Sequence, residues 1–216
     1  MTKKERTLKI IEALKKEYPQ ALCSLEYKDP LQLLIATRLS AQCTDARVNL
    51  VTPALFEKYP NLDAFCNAEL SDVEALIHSC GFFRAKARDI IAMAKKIKSD
   101  FSGEVPNSLE KLVSLPGVGR KTANLIMGDV FKAPAVVADT HVIRISNLLG
   151  LSSSKNPYKV ELELSQLLPP QESNDFCHRI VLHGRAVCVA RRPDCDRCCL
   201  GEYCPAKKER KKDEKI

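Results

Sequence analysis

The sequence predicts an all-α protein, and three observations support that fold class. Apolar residues recur at helical intervals along most of the chain, capping residues precede several of those segments, and strand-like composition is confined to one run, Ala135–Ala138. A run of four residues without an alternating partner nearby does not make a sheet. We therefore expect helices to form the whole core.

Two early helices are predicted from their starts. Asp29 followed by Pro30 is typical of an N-cap and a first helical position, and apolar residues then recur as far as Leu39. Ser71–Glu74 has the spacing of a capping box, in which the serine and glutamate side chains each accept from the other's backbone amide. This spacing predicts that a helix begins at Ser71.

Two later helices follow the same pattern. A helix with one apolar face is predicted over residues 86–97, with Lys86 on a polar face. The apolar face consists of Ala87, Ile90, Ile91, Ala94 and Ile97. Asn156-Pro157 predicts the start of another helix, and Pro169-Pro170 predicts its end.

Composition excludes several classes of protein. The 216 residues are 45% apolar and 28% charged, and no stretch reaches the roughly 20 apolar residues of a membrane span. This excludes a peptide hormone, a disulfide-stapled miniprotein and a membrane-spanning protein. The net charge of +7 is not confined to the basic tail at residues 207–216, and such an excess weakly favours polyanionic partners.

The cysteines indicate a reducing compartment. The chain has ten cysteines, and its N-terminus runs into a charged amphipathic segment without a secretory apolar core. We therefore expect an intracellular protein without a secretion or organelle-targeting signal. In that setting clustered cysteines are interpreted as metal ligands before they are interpreted as disulfides.

A glycine-rich turn is the first segment that indicates a function. Leu115–Ala123, with the sequence LPGVGRKTA, predicts a helix, a hairpin and a second helix, and the two glycines permit positive φ angles. Without side chains at Gly117 and Gly119, a phosphate can approach the backbone and the amides at the next helix start. Such a hairpin grips a DNA backbone without reading bases. The alternative is a sharp turn with incidental glycines.

Lys121 follows the hairpin at a helix start. The helix dipole there disfavours an ammonium, and partial burial would add to this, which favours a neutral, nucleophilic amine. The alternative is a lysine that only binds phosphate. Asp139, after the apolar run, predicts an N-cap, and a capping carboxylate can also stabilise positive charge on a sugar or accept a proton.

Four cysteines near the C-terminus have the spacing of a metal centre. Cys188, Cys195, Cys198 and Cys204 are separated by six, two and five residues. Four thiolates so close together suit an iron-sulfur cluster or tetrahedral zinc, and the spacing alone does not decide between them. Cys199 is a fifth thiol, and Cys198 fits the spacing better. The basic pair Arg191 and Arg192 lies in the loop between the first two ligands and suits contact with phosphates. A merely solvated loop is the alternative.

Taken together, these motifs resemble the endonuclease III family of DNA glycosylases, in the helix-hairpin-helix superfamily. The resemblance spans nearly the whole chain and rests on several segments whose combination is highly specific. They are Ser40–Asp45, Leu115–Ala123, Val137–His141, Leu182–Arg185 and the four-cysteine spacing.

The resemblance implies two helical domains flanking a DNA groove. One is a helical bundle over residues 23–133 that carries the helix-hairpin-helix motif at about 108–127. The other joins residues 1–22 to residues 134–216 and holds a 4Fe-4S cluster on the loop 188–204. The implied ligands are Cys188, Cys195, Cys198 and Cys204. A monomer is expected, located wherever the cell keeps its DNA, which in a bacterium is the cytoplasm and its nucleoid.

The implied activity is base excision repair of damaged double-stranded DNA. The enzyme would remove oxidised pyrimidines and then cleave the strand 3′ to the abasic site. By position, Lys121 is the nucleophile that attacks C1′ and Asp139 the carboxylate that assists it. A lysine amine forms a Schiff base on the opened sugar, which permits β-elimination of the 3′ phosphate, whereas an activated water does not.

The resemblance also implies a set of DNA contacts. Because the target base must leave the stack, Gln42 is assigned to face the orphan base and Phe82 to act as the wedge, with Phe83 as an alternative wedge. Core packing for Phe83 and a plain surface amide for Gln42 are the other interpretations. The remaining implied contacts are Gly117, Val118, Gly119, Arg120, Thr140, His141, Arg191 and Arg192.

Two rival functions are distinguishable. A mismatch glycosylase that excises adenine shares the hairpin and cysteines, but such relatives lack the lysine and carry a further C-terminal domain. A noncatalytic DNA-binding module would hold zinc with the cysteines and use Lys121 only for phosphate. A brown protein with broad visible absorption would favour iron-sulfur.

Overall fold

The computed structural model describes residues 1–207, and helices account for its regular structure. The α-helices are α1 Lys3–Glu17, α2 Pro30–Ser40, α3 Asp45–Lys58, α4 Leu62–Cys66, α5 Leu70–Ile77, α6 Phe83–Asp100, α7 Leu109–Val113, α8 Arg120–Asp129, α9 Thr140–Leu148, α10 Pro157–Leu167 and α11 Ser173–Ala186. Short 3₁₀ turns lie at His78–Cys80, Pro170–Glu172 and Gly201–Tyr203. The basic tail noted in the sequence lies, apart from Lys207, outside the described residues.

The predicted all-α class is confirmed, since residues 1–207 contain no strand. Ala135–Ala138 is buried and has no regular secondary structure. None of the helices in this part of the chain is long and apolar enough to cross a membrane.

The chain divides into two compact units. Cys23–Phe131 forms the hairpin unit, which contains α2 to α8. Met1–Leu22 and the chain from Lys132 onward form the cysteine unit, which contains α1 and α9 to α11. Each unit has its own buried apolar side chains. In the hairpin unit they include Leu34, Leu39, Ile90 and Ile126, and in the cysteine unit Ile10, Leu14, Ile145 and Phe176.

Two of the predicted helix starts are confirmed and one is wrong. The Asp29 carboxylate accepts from the Gln32 amide at 2.9 Å, and the Asn156 side chain accepts from the Lys159 amide at 3.1 Å. However, α5 begins at Leu70, one residue before Ser71, and has no side-chain cap. Asp72, inside the predicted box, instead pairs with the Lys58 ammonium at 2.6 Å.

The apolar face of α6 is buried as predicted, but the prediction for Lys86 is wrong. Its side chain is 1% exposed. The Nζ atom donates to the carbonyl oxygens of Leu39, at 2.7 Å, and Cys80, at 2.8 Å. Burial lowers the pKa of Lys86. The helix pattern missed this because both acceptors come from segments outside α6.

Candidate active site and metal centre

The glycine turn lies between α7 and α8 and is held by its own packing. The Val118 amide donates to the Leu115 carbonyl at 3.1 Å, and the Val118 side chain is 6% exposed. Gly117 has a φ of 73°, in the left-handed region, whereas Gly119 has a φ of −90°. A positive φ, which both glycines permit, is thus adopted by Gly117 and not by Gly119.

Gly117 also leaves room for an ion pair that the sequence did not reveal. A Cβ atom at Gly117 would lie 2.7 Å from Arg38 Nε and 2.9 Å from Asp89 Cβ. Arg38 donates to Asp89 Oδ2 through Nε at 2.7 Å, and its NH2 lies 2.6 Å from the same oxygen. The turn therefore rests directly on a pair that joins α2 to α6.

Gly119 has a different role in the turn. A Cβ atom there would meet no heavy atom within 4 Å, and α8 begins at Arg120 without a side-chain cap. Lys121 is the second residue of α8, and its side chain is exposed, so the partial burial expected for it is not observed. An uncapped helix start with open space before it suits an anion, because the first amides and the helix dipole are positive.

Gln42 and Phe82 also lie in the hairpin unit, each in a left-handed conformation with a φ of 54° and 47°. Gln42 is exposed, and Phe82 is 68% exposed. Phe83 instead packs against the core and on the His78 ring, with the ring centroids 4.5 Å apart. Of the two phenylalanines, Phe82 is the one available to a ligand.

Asp139 is the N-cap of α9, as its sequence context predicted. The Oδ1 atom accepts from the Val142 amide at 2.8 Å, and the residue is half-buried. One carboxylate oxygen is thereby engaged in the cap. Thr140, the first residue of α9, is exposed.

The start of α9 contacts the last turn of α11 through a glycine. A Cβ atom at Gly184 would lie 2.5 Å from His141 Nδ1 and 3.0 Å from Ile145 Cδ1. Gly184 belongs to the Leu182–Arg185 segment, to which the sequence assigned no structural role. Its missing side chain is what lets the His141 ring lie against α11.

The four spaced cysteines line one cavity in the cysteine unit. Its other walls include the apolar side chains of Leu148, Val187 and Pro193, and its empty volume is about 370 Å³ including space open to solvent. Burial raises the pKa of Cys198, and the negative charges of Cys188, Cys204 and Cys195 raise it further. Cys199 does not line the cavity. Four sulfur donors around one partly apolar space fit an iron-sulfur cluster.

Single-ion coordination is a separate question. Within residues 1–207, no three histidine, cysteine, aspartate or glutamate side chains are grouped so that they could hold one metal ion.

Cations and a histidine hold the cysteine loop from outside. Arg144 donates to the Cys188 carbonyl and approaches the Cys188 sulfur at 3.5 Å, and Lys207 donates to the Cys195 carbonyl. His183 Nε2 lies 3.4 Å from Cys198 Sγ, and its Nδ1 lies 3.2 Å from the Tyr18 hydroxyl. Burial lowers the pKa of His183. These links join distant parts of the sequence, so no local pattern predicted them.

The basic pair of this loop is exposed. Both Arg191 and Arg192 point their side chains into solvent, between the cavity-lining residues Cys188 and Cys195. Exposed guanidinium groups are available to phosphates.

Two comparisons with known proteins identify the broad class to which this chain belongs. The model of the HhH-GPD superfamily of base excision DNA repair proteins matches residues 35–170. A thermostable thymine-DNA glycosylase, 21% identical, superposes with a TM-score of 0.84 over 95% of this chain and 98% of its own, a likeness of fold.

Curated relatives identify one family within that superfamily. Endonuclease III of Synechocystis is 50% identical over 95% of this chain and 94% of its own, and that of Bacillus subtilis is 40% identical over 90% of both chains. A solved trapped endonuclease III–DNA covalent intermediate is 39% identical, with a TM-score of 0.91 over 98% of this chain and 100% of its own. The chain belongs to the endonuclease III family, whose members are DNA glycosylases with AP lyase activity.

Proposed function

We propose that this enzyme removes oxidised pyrimidines from duplex DNA and cleaves the strand through a Schiff base on Lys121. The observation that carries the proposal is the exposed Lys121 at an uncapped helix start, directly after the Gly117–Gly119 turn. A phosphate bound by the first amides of α8 brings a deoxyribose within reach of the same helix turn. The relative solved as a covalent intermediate with DNA supports a protein nucleophile.

The chemistry proceeds in steps that a lysine can perform. The amine of Lys121 attacks C1′, the bond to the base breaks, and the base leaves with a proton. The sugar opens to an iminium, which makes the C2′ proton acidic, and loss of that proton expels the 3′ phosphate. Asp139 supplies a carboxylate that accepts a proton or stabilises the cationic sugar.

Neighbouring residues bind and distort the DNA. Gly117, Val118, Gly119 and Arg120 grip the backbone, and for Val118 this is a main-chain role because its side chain is buried. Phe82 is the wedge and Gln42 faces the orphan base, which their exposure supports. Thr140 and His141 at the start of α9, and Arg191 and Arg192 on the cysteine loop, complete the proposed contacts.

A 4Fe-4S cluster is proposed as the occupant of the cysteine cavity. Cys188, Cys195, Cys198 and Cys204 would hold it, which their shared cavity supports. When bound, the cluster supplies iron–thiolate bonds that cross-link the loop. The exposed arginines of this loop would then be held in place for phosphates. We further propose that the enzyme acts as a monomer in the compartment that holds the cell's DNA.

Borohydride trapping tests the nucleophile. The protein is incubated with a duplex containing one thymine glycol, and borohydride then reduces any iminium to a stable adduct. We expect an adduct with the wild type and none with Lys121→Gln. Lys95→Gln, which removes an exposed lysine of α6, is the matched charge control and should retain the adduct.

Each result of this experiment has a distinct meaning. Base release without an adduct in the wild type would indicate a glycosylase that activates water and would contradict the lyase mechanism. An adduct that persists in Lys121→Gln would place the nucleophile elsewhere. The absence of both base release and an adduct in the wild type would reject oxidised pyrimidines as the substrate.

The test of Asp139 separates its role as a helix cap from the role of its negative charge in the reaction. Asparagine caps a helix about as well as aspartate, so Asp139→Asn should keep the melting temperature while the single-turnover rate falls about 10² to 10⁴-fold. Asp139→Ala should lose the cap as well, at about 1 kcal/mol of stability. Full activity in Asp139→Asn would reduce Asp139 to a structural cap.

A further inference from the structure

A pair of thiols connects the two segments that carry Gln42 and Phe82. Cys43 follows Gln42 directly, and Cys80 precedes Phe82 by two residues. The side chains of Cys43 and Cys80 lie close enough to interact, although 37 positions separate them in the sequence. Cys80 is 1% exposed, whereas Cys43 is partly exposed.

Buried cationic charge faces this pair. The Lys86 ammonium, fixed by the carbonyls of Leu39 and Cys80, interacts electrostatically with both thiols. Arg47 adds a second positive charge near Cys80. Positive charge beside a pair of thiols stabilises the negative charge that develops on a sulfur when it reacts.

The two sulfurs differ in the way that an oxidisable pair requires. Burial raises the pKa of Cys80 to about 11, and the neighbouring Cys43 raises it as well, so Cys80 keeps its proton at neutral pH. Cys43 is the sulfur that a small oxidant in solvent reaches. An accessible thiol beside a second, protonated thiol is the arrangement of an attacking and a resolving cysteine.

We propose that Cys43 and Cys80 form a reversible disulfide in the presence of a peroxide, and that this bond switches off DNA engagement by Gln42 and Phe82. The inference about DNA rests on the proposed function of those two residues. The disulfide itself does not.

The oxidation balances with one peroxide. The Cys43 thiolate attacks the O–O bond, an S–O bond forms, and the departing hydroxide takes a proton to become water. The Cys80 sulfur then attacks Cys43, the S–S bond forms and the S–O bond breaks. The second hydroxide takes the Cys80 proton. Two thiols and one hydrogen peroxide thus give one disulfide and two waters.

The effect on DNA follows from the geometry of the two turns. A disulfide between Cys43 and Cys80 would hold the segments that carry Gln42 and Phe82 at one fixed separation. That constraint would act next to Gln42 and Phe82, both of which occupy the narrow left-handed region of φ and ψ, and it would limit the adjustment that either residue makes to DNA. Lys86 resists a compensating shift because it anchors the Cys80 carbonyl to the end of α2.

The experiment maps the cross-link and measures its consequence. The full-length protein as purified is treated with about one equivalent of hydrogen peroxide, which suffices for one disulfide. Unreacted thiols are alkylated, and mass spectrometry identifies disulfide-linked peptides. Borohydride trapping on the thymine glycol duplex is measured in the same samples, before and after dithiothreitol, while visible absorbance monitors any metal centre.

We expect a peptide pair joined through Cys43 and Cys80, together with a loss of most of the trapping that dithiothreitol restores. Cys43→Ser and Cys80→Ser should each form no such pair and should trap equally with and without peroxide. Two variants are used because Cys80 is in the core and its replacement can disturb folding. Cys23→Ser, which removes a half-buried thiol elsewhere in the hairpin unit, should behave like the wild type.

Other results overturn the proposal. Peroxide treatment that leaves both thiols open to alkylation, or converts Cys43 to a sulfinic acid without a cross-link, rejects the disulfide. A cross-link with unchanged trapping, or an equal loss of trapping in Cys43→Ser, rejects the switch. A reduced wild type that never traps rejects the proposed function, and peptide mapping still decides the disulfide.

Discussion

The glycine turn and the cysteine loop are both short connections that carry proposed DNA contacts, yet they are held in different ways. The turn has Val118 in the core and Gly117 on the Arg38–Asp89 pair, so the hairpin unit fixes its shape. The cysteine loop is held from outside, by cations on its carbonyls and by His183 on Cys198, around a sulfur-lined cavity. Core packing therefore shapes the glycine turn, whereas bonds from the cysteines to a metal cluster are suited to shape the cysteine loop.

Losing a proposed cluster ligand should have the largest effect. Cys198→Ala should abolish visible absorption and bound iron and destabilise the cysteine unit by several kcal/mol, because metal binding contributes directly to folding. Cys199→Ala is the matched control, since it removes the adjacent thiol, which does not line the cavity. Iron content, absorbance and urea unfolding measure both. Equal loss in the two variants would mean that the cavity does not define the ligand set.

The two glycines of the turn should separate folding from binding. Gly117→Ala should cost about 3 kcal/mol, because a left-handed alanine is strained and its Cβ meets the Arg38–Asp89 pair. Gly119→Ala should change stability by no more than about 0.5 kcal/mol but weaken DNA binding, since its Cβ enters the open space before α8. Chemical denaturation and fluorescence anisotropy on duplex DNA measure the two effects. Tight binding by Gly119→Ala would break the proposed phosphate contact.

Lys86 should give the smallest effect, and one that depends on pH. Burial lowers its pKa, so the folded state releases the proton before the unfolded state does as pH rises. The cost of burying the ammonium is therefore full below the folded pKa and disappears above the unfolded value of about 10.4. The neutral amine retains two N–H groups for the two carbonyls that it contacts.

The test for Lys86 measures the difference in the free energy of unfolding between two proteins as a function of pH. The stability of the wild type relative to Lys86→Met should increase as pH rises through that window. A difference that is flat with pH, or that decreases, would contradict a strained buried charge.

Sequence predicts those features whose cause is local. Asp29, Asn156 and Asp139 cap helices because each can reach an amide three residues ahead, and the apolar face of α6 follows from helical periodicity. The spacing of four cysteines likewise singled out the residues that line one cavity.

Features with distant partners escaped the sequence. Burial of Lys86 depends on carbonyl acceptors from α2 and from the turn before α6. Any side chain at position 117 is excluded by residues of two other helices. Ser71 fails as a cap because α5 begins one residue earlier than the pattern indicates. The contact of His183 with Cys198 joins residues 15 positions apart and follows no helical or strand periodicity.

Gly184 has a consequence for engineering this enzyme. A glycine in the interior of α11 costs about 1 kcal/mol of helix propensity relative to alanine, so a routine thermostabilisation library would replace it. The new methyl group would occupy the position of the His141 ring, beside the carboxylate that caps α9. Because that overlap forces the His141 ring to move, alanine at this position should lower the melting temperature rather than raise it, and residue 184 should stay unchanged in any such library.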